Sequence, residues 1–286
     1  MTDSKLTVGL LTEVFFDDPG GDRLTGRLKE ARSAGAELVV LPELPLDPWV
    51  PASRAAEDGD AEGPGGRRQR IQAEAARRAG VAVLGGAIIR DSASGRRHNT
   101  ALLFDNAGVL RSSYRKIHLP FEEHFWEADH YEPGTYSPEV IPGFPLPLGI
   151  QICSDANRTT GCQLLAARGA AVIFVPRATP AASWDRWRLV LRADAVTAAT
   201  WVVTVNRPPS GEVLPPDGPS AVIAPNGSVV IETTDPLAIV ELDAEAVSQA
   251  RRDYPGYLKF FPDVYQRAWA AVAAEASGTA DGHNRN

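Results

Sequence analysis

The sequence has few of the features that mark a secreted, membrane-spanning or nucleic-acid-binding chain. Its 286 residues include only two cysteines, which is too few for a disulfide framework and indicates a reducing compartment. Its apolar runs all stay well short of the roughly 20 residues that cross a bilayer, and we expect no secretory leader. The net charge is −7 and the arginine pairs are scattered, which disfavours nucleic acid as a partner. We expect a cytoplasmic protein that binds neither nucleic acid nor a membrane.

The chain does have enough apolar sequence for one large globular domain. Hydrophobic residues make up 44% of it and charged residues 23%, a balance typical of a single domain of this length. We expect this domain to span residues 1–270. The remaining stretch, 271–286, ends in the polar sequence SGTADGHNRN, and we expect it to form a disordered tail.

Helical and strand patterns alternate along the domain. Four segments each run from a helical pattern into an apolar strand, three of them through a glycine: 23–44, 71–89, 162–176 and 184–206. Turn residues around 105–108 and 225–227 predict two hairpins. Strands that alternate with helices predict an α/β fold, with parallel or mixed sheets covered by helices.

Three reactive side chains follow predicted strands. An apolar strand precedes each of Glu43, Lys116 and Cys153, and ligands of α/β sheets gather at the carboxyl ends of strands. Each side chain also has an ordinary alternative, because Glu43 and Lys116 would fit a solvated surface and Cys153 would fit a core. The second cysteine, Cys162, falls within a predicted helix, and we expect it to be a core residue.

Together, the three side chains have the chemistry that acyl transfer needs. A thiol becomes a nucleophile when a base takes its proton, and a carboxylate can be that base. The oxyanion that forms on a carbonyl is stabilised by an ammonium group and by a backbone N–H after the cysteine. After Cys153, Ser154, Asp155 and Asn157 supply N-cap chemistry for a helix that runs through CQLLAARGA, and the positive end of that helix would face the same point.

The motifs around these residues resemble those of the nitrilase, or carbon–nitrogen hydrolase, superfamily, over roughly residues 5–268. GAELVVLPEL is similar to the segment with the superfamily's general base, YRKIHLP to the segment with its lysine, and LGIQICSD to its nucleophile segment. WEADHYEPG is similar to the segment with its supporting glutamate, six residues before a Pro-Gly pair. The resemblance assigns these roles to Glu43, Lys116, Cys153 and Glu127.

The resemblance also implies a fold and a mechanism. The fold is a four-layer α-β-β-α sandwich in a single domain, assembled into a homodimer or a larger homo-oligomer. Glu43 takes the proton of Cys153, and the thiolate attacks an amide, carbamoyl or nitrile carbon. Lys116 and the Ser154 N–H hold the oxyanion, and Glu127 orients Lys116. Water then releases the acid from a thioester, and the chemistry requires no cofactor and no metal.

Five residues are candidates for contact with the substrate. Ser154 stands where many members of the superfamily have an aromatic residue, and Arg177 stands where they often have a small or polar one. Arg158 and Arg177 are candidates to bind a substrate carboxylate, with a solvated or structurally paired arginine as the alternative for each. Trp49 and Trp126 are candidates to line the pocket.

The sequence favours an aliphatic amidase or an N-carbamoyl hydrolase acting on a small molecule. The eleven-residue step from Lys116 to Glu127 is similar to the spacing in members that hydrolyse N-carbamoyl amines. The alternatives are a nitrilase proper and a catalytically silent binding or scaffold protein on the same fold. A metal-dependent hydrolase would use His118, His124 and His130, but a spacing of six residues fits neither one helix face nor a usual zinc motif.

Overall fold

The structure is a computed structural model that describes residues 4–211 and 214–282, with side chains as far as residue 275. It divides into one unit that ends at Gly256 and a C-terminal unit that begins at Tyr257. The strands are β1 (Lys5–Leu11), β2 (Leu38–Val40), β3 (Ala82–Arg90), β4 (Arg97–Phe104), β5 (Leu110–Arg115), β6 (Leu148–Ile150), β7 (Val172–Arg177), β8 (Trp201–Asn206), β9 (Ser220–Ile223), β10 (Val229–Thr233) and β11 (Leu237–Asp243). The helices are α1 (Asp22–Ser33), α2 (Arg67–Ala79), α3 (Glu127–His130), α4 (Thr160–Ala167), α5 (Trp184–Ala198), α6 (Ala244–Arg252) and α7 (Pro262–Gly282).

Two mixed sheets form the first unit. The first has the strand order β11-β1-β2-β3-β4-β5 and the second the order β10-β9-β8-β7-β6. In each sheet, strands that are joined by helical crossovers are parallel. These are β1, β2 and β3 in the first sheet and β6, β7 and β8 in the second. Both predicted hairpins are confirmed, because β4 pairs antiparallel with β5 and β9 with β10.

Alternating side chains sort the first sheet into two faces. Leu38 and Val40 belong to the apolar cluster shared with the second sheet, whereas Val39 between them belongs to the cluster that includes α1 and α2. The same period of two holds in β3 and β4, since successive strand residues point to opposite faces. Each fully buried Leu or Val contributes about 1.5–3 kcal/mol to the stability of this packing.

Helices α4 and α5 cover the second sheet. A Cβ atom on Gly149 of β6 would lie 2.8 Å from Leu165 of α4, so only glycine permits this close approach. Trp184, Trp187 and Leu191 of α5 are buried in the same apolar cluster as the strands. The layers therefore follow the order helices, sheet, sheet, helices, and the expected four-layer α-β-β-α sandwich is confirmed.

The helix expected after Cys153 begins later than the predicted N-cap residues. Residues Cys153–Asp155 form one 3-10 turn, and α4 begins at Thr160 without a side-chain cap. Asp155 does not cap this helix, because its buried carboxylate accepts hydrogen bonds from the backbone of Ile117 and His118 instead. The backbone directly after Cys153 is therefore a 3-10 turn and not the N-terminus of α4.

The C-terminal unit contains α7. Residues 271–282, expected to be part of a disordered tail, continue this helix, and the alanine-rich run 268–276 accounts for the difference because alanine has the highest helix propensity. Residues 283–286 lie outside the described residues. None of the helices in the described part of the chain combines the length and the apolar content of a membrane span.

Asp194 of α5 gives the fold a testable pH dependence. Its side chain is wholly buried beside the Cys162 thiol, and burial raises the pKa of the Asp194 carboxyl to about 7. The folded state therefore binds more protons than the unfolded state between about pH 4 and pH 7, and stability falls as pH rises through that window. We expect Asp194→Asn to match the wild type near pH 4 and to be more stable at pH 8, by up to about 4 kcal/mol at ~1.4 kcal/mol per pKa unit.

Urea unfolding of both proteins at several pH values measures this difference. The other buried carboxyl groups are common to the two proteins, so the difference isolates Asp194. Parallel stability curves across the whole pH range would contradict a raised pKa at this position.

Candidate active site

Three strand ends and one short helix bring four of the predicted residues together. Glu43 follows β2 by three residues, Lys116 directly follows β5, and Cys153 follows β6 by three residues. Glu127 is the first residue of the short helix α3. Glu43 and Lys116 follow strands of the first sheet, and Cys153 follows a strand of the second. This group of side chains therefore lies where the two sheets meet.

A buried lysine joins two buried carboxylates. Lys116 Nζ donates to Glu43 Oε1 at 2.8 Å and to Glu127 Oε1 at 2.6 Å. The three side chains are at most 1% exposed. Asn99 Nδ2 in β4 adds a hydrogen bond to Glu43 Oε1 at 2.7 Å and reaches Glu127 Oε2 at 3.4 Å. A charge is tolerated away from water only when it is paired and hydrogen-bonded, and this arrangement meets both conditions.

One oxygen of Glu43 stands apart from this network. Lys116 and Asn99 both donate to Oε1, whereas Oε2 is buried and has no hydrogen-bond partner among the described residues. A buried acceptor without a donor is unfavourable and calls for a functional explanation. The negative charge of Glu43 also helps to raise the pKa of the Cys153 thiol, so this carboxylate and the thiol interact electrostatically.

The charges within this group set its resting protonation. Burial opposes the charge of Lys116, but the carboxylates of Glu127 and Glu43 outweigh it and hold the pKa of the ammonium above its ordinary value. Burial, with the charge of Glu43 in support, raises the pKa of Glu127 to about 7. Burial and then Glu43 raise the pKa of the Cys153 thiol, against the opposite effect of Lys116. The cysteine rests as a thiol and needs a base.

Left-handed backbone conformations cluster at this group. Cys153 has a φ of 45°, and Leu44, next to Glu43, has a φ of 49°. His124, three residues before Glu127, has a φ of 67°. Residues with side chains avoid this region, and each such conformation costs about 1–3 kcal/mol and persists only where the surroundings impose it. The fold therefore holds these loops in specific conformations beside the reactive side chains.

A cavity of about 720 Å³ has Cys153, Glu127 and Ser154 in its wall. This volume suits a small organic molecule. Apolar and charged side chains complete the lining, among them Phe125, Trp187, Val190, Glu122, Glu123 and Arg186. Of the five substrate-contact candidates, Ser154 is the one among the described lining residues.

Arg177 lies in a closed hydrogen-bond network instead of the cavity wall. Its side chain is fully buried, and its guanidinium donates to Thr204, Thr179, Asn206 and the Pro219 carbonyl. Burial lowers the pKa of the guanidinium to about 9. The geometry favours the structurally paired alternative for Arg177.

The other three candidates lie around the cavity lining. Arg158 is exposed. Trp49 is buried, donates through Nε1 to the His124 carbonyl at 3.1 Å and packs edge-on against Phe125, which does line the cavity. Trp126 is half-buried, with the Arg54 guanidinium 4.8 Å from its ring centre. Substrate contact by these residues stays a prediction.

Sequence reasoning missed three buried polar residues that support the site. Asn99 binds the Glu43 carboxylate, and Arg207 donates to the Leu44 carbonyl at 2.7 Å, which braces the loop after β2. Asp155 binds the backbone after Lys116. For Asn99 the signal is its place in a strand whose second half is apolar, because a polar residue buried in such a strand requires a partner.

Two of the three histidines of the metal alternative have other hydrogen-bond partners. His118 Nδ1 lies 2.9 Å from Asp155 Oδ1, and His130 Nε2 lies 2.7 Å from the Ser53 carbonyl oxygen. Within the described residues, no group of three or more His, Cys, Asp or Glu side chains is arranged to hold a metal ion.

Comparisons with known proteins identify the family. The family described as carbon–nitrogen hydrolase matches residues 18–252, and the chain therefore belongs to this family, within the nitrilase superfamily. A carbon–nitrogen hydrolase from Helicobacter pylori G27, 20% identical, superposes with a TM-score of 0.80 over 93% of this chain and 98% of that chain. This likeness agrees with the layer order described above.

Two similar proteins indicate the class of hydrolase within this family. An omega-amidase of Arabidopsis thaliana, described as chloroplastic, is 30% identical over 250 residues, which are 84% of this chain and 67% of that protein. An amidase from Nesterenkonia sp. AN1, with acrylamide added at its active-site cysteine, is 25% identical, with a TM-score of 0.70 over 87% of this chain and 96% of that chain. The protein is an amidase-like carbon–nitrogen hydrolase.

Lys116 should stabilise the fold as well as the site. In Lys116→Met two buried carboxylates lose their cation, and we expect a loss of about 3–5 kcal/mol in the free energy of unfolding. Adding Glu127→Gln should recover part of it, because one buried charge is then removed. Urea unfolding measures both variants, with Lys5→Met as control, since the Lys5–Glu241 pair is exposed and contributes little. A Lys116→Met protein as stable as the wild type would contradict the ion-pair description.

Proposed function

We propose that this hydrolase cleaves the C–N bond of a small amide or N-carbamoyl compound through a thioester on Cys153, and releases ammonia or an amine. The observation that supports this most directly is the buried Oε2 of Glu43, which has no hydrogen-bond partner among the described residues, on a carboxylate whose charge raises the pKa of the Cys153 thiol. It is a proton acceptor held in place by two donors on the other oxygen of the same carboxylate. A base fixed in this way is what a resting thiol needs.

In the first half-reaction, Glu43 takes the thiol proton and the Cys153 sulfur bonds to the carbonyl carbon. The carbonyl electrons move to oxygen, and the Lys116 ammonium together with the Ser154 N–H stabilise the oxyanion. When the C–N bond breaks, the proton held by Glu43 goes to the leaving nitrogen. Cys153 is left as a thioester, and ammonia or an amine departs.

In the second half-reaction, water replaces the amine. Glu43 takes a proton from the water, and the resulting nucleophile attacks the thioester carbon. The C–S bond breaks, the acid departs, and the proton on Glu43 returns to Cys153. Glu127 orients Lys116 through its 2.6 Å hydrogen bond and, as a cavity-lining residue, also contacts the leaving group.

An amidase or N-carbamoyl hydrolase is preferred to a nitrilase proper. The relatives named omega-amidase and amidase support an amide substrate, and the eleven residues between Lys116 and Glu127 support an N-carbamoyl compound. Ser154, as a residue of the cavity wall, contacts the substrate, and Arg158, Trp49 and Trp126 remain the further candidates for substrate contact. A scaffold without activity is the alternative that the test below addresses.

We also propose a cytoplasmic homodimer or larger homo-oligomer with a hydrolase domain over residues 1–270. Both cysteines are free thiols, which supports a reducing compartment. The C-terminal unit exposes Tyr257, Phe261, Tyr265 and Trp269, and exposed aromatic side chains this numerous are typical of protein interfaces. Sedimentation of Trp269→Glu beside the wild type tests this, and two monomeric proteins would contradict it.

Ammonia release tests the function. The wild type, Cys153→Ser, Cys162→Ser and Glu43→Gln are assayed on primary amides, N-carbamoyl amino acids and nitriles. We expect no turnover from Cys153→Ser and near wild-type turnover from Cys162→Ser, because Cys162 is a buried residue of α4. Glu43→Gln should lose about 10²–10⁴-fold in kcat, since it removes the base.

The identity of the best substrate then names the subclass. Activity that survives in Cys153→Ser would contradict the nucleophile assignment. A folded wild type that is inactive on the whole panel, with a Cys153 that small electrophiles do not alkylate, would favour the scaffold alternative.

A further inference from the structure

Two three-residue segments are tied to each other by side chains, and they carry the lysine and the cysteine of the proposed site. One is 116–118 after β5, and the other is 153–155 after β6. Asp155 Oδ1 accepts hydrogen bonds from the N–H groups of Ile117 at 3.1 Å and His118 at 2.8 Å. Ser154 Oγ donates to the His118 carbonyl. We call these contacts the cross-brace.

The other oxygen of Asp155 closes the turn that holds the thiol. Oδ2 accepts from the N–H of Ile152 at 3.2 Å and from the Tyr114 hydroxyl at 2.9 Å. The Asp155 N–H in turn donates to the Ile152 carbonyl at 2.9 Å. Cys153 lies inside this closed turn with its φ of 45°, so the same carboxylate that binds the lysine segment also holds the cysteine in a left-handed conformation that it would otherwise avoid.

The cross-brace adds directional contacts between two sheets that share a large apolar cluster. Lys116 belongs to the first sheet and Cys153 to the second. Apolar packing is non-directional, whereas hydrogen bonds fix both distance and angle. Asp155 is fully buried, and its oxygens accept from five donors in all, the fifth being His118 Nδ1. Asp155 therefore supplies most of the hydrogen bonds that fix the spacing between the segment of the ammonium and the segment of the thiol.

We infer that Asp155 is a positioning residue, which holds the Cys153 thiol at working distance from Lys116 and Glu43 by fixing segment 153–155 to segment 116–118. The inference rests on the proposed roles of Cys153 and Lys116. It adds a residue that contacts neither the cavity nor the reacting atoms, and whose effect on the reaction is carried entirely by geometry.

Asp155→Asn tests the inference, because asparagine keeps the size but turns an NH₂ group toward backbone donors. A displacement of about 1 Å at a reacting group costs about 10²-fold in rate. We expect kcat for the best amide to fall by about 10²-fold while KM stays within about threefold. Chloroacetamide should alkylate Cys153 at least about tenfold more slowly than in the wild type, since the thiol loses its base.

Asp194→Asn is the matched control, because Asp194 is equally buried but lies in α5 beside Cys162, outside the proposed site. It should keep wild-type kcat and a wild-type alkylation rate. If Asp155→Asn loses no more kcat and no more thiol reactivity than this control, after correction for the folded fraction, Asp155 is only a structural residue and the inference is overturned.

A second variant decides the matter if Asp155→Asn does not fold. Tyr114→Phe removes one hydrogen bond to Asp155 Oδ2, leaves the buried carboxylate in place and does not touch the cavity wall. A loss of about tenfold in kcat or in the alkylation rate, with an unchanged melting temperature, supports the inference. Wild-type values for both rates overturn it.

The alkylation rate separates this inference from the proposed function. A wild type that hydrolyses no amide contradicts the proposed function, yet the comparison of Cys153 alkylation among the same proteins still measures the geometry of the thiol. An active wild type in which Asp155→Asn changes neither rate contradicts the positioning role alone.

Discussion

The ammonium of Lys116 between the carboxylates of Glu43 and Glu127 is the interaction on which the site depends. Each of these charges would be strongly unfavourable alone in the interior, and each is tolerated because the others are present. Their arrangement uses only one oxygen of Glu43 and leaves the other without a partner among the described residues. The stability of these three buried charges and the availability of a base on Glu43 therefore both follow from the same arrangement.

The remaining parts of the structure hold this geometry in place at a cost. Left-handed residues beside Glu43 and at Cys153 store unfavourable backbone conformations, and buried polar side chains from other strands hold the loops that contain them. Asn99 fixes the carboxylate, Arg207 the loop after β2, and Asp155 the turn after β6. Apolar packing of four layers supplies the stability that allows such strain to persist.

Local patterns predicted most of the fold and the reactive residues, and long-range contacts account for what they missed. The glycine after three of the helices, the apolar strands that follow and the two hairpins are local features, and so were predictable. Asn99 meets Glu43 across 56 residues, through a strand register that the sequence does not specify. Asp155 resembles a helix cap, but donors 37 and 38 residues earlier in the chain bind it instead. Arg177 ends a strand like a ligand-binding residue, yet neighbouring strand β8 supplies buried partners.

Trapping the covalent intermediate tests the central claim most directly. The protein is mixed with butyramide, and the reaction is quenched in acid within the first turnovers. The protein is then digested, and the peptide masses are measured by mass spectrometry. The account predicts a butyryl group on the peptide that contains Cys153, and none on the peptide that contains Cys162. Steady release of ammonia without an acyl group on Cys153, or with the group on another residue, would contradict a thioester mechanism at this cysteine.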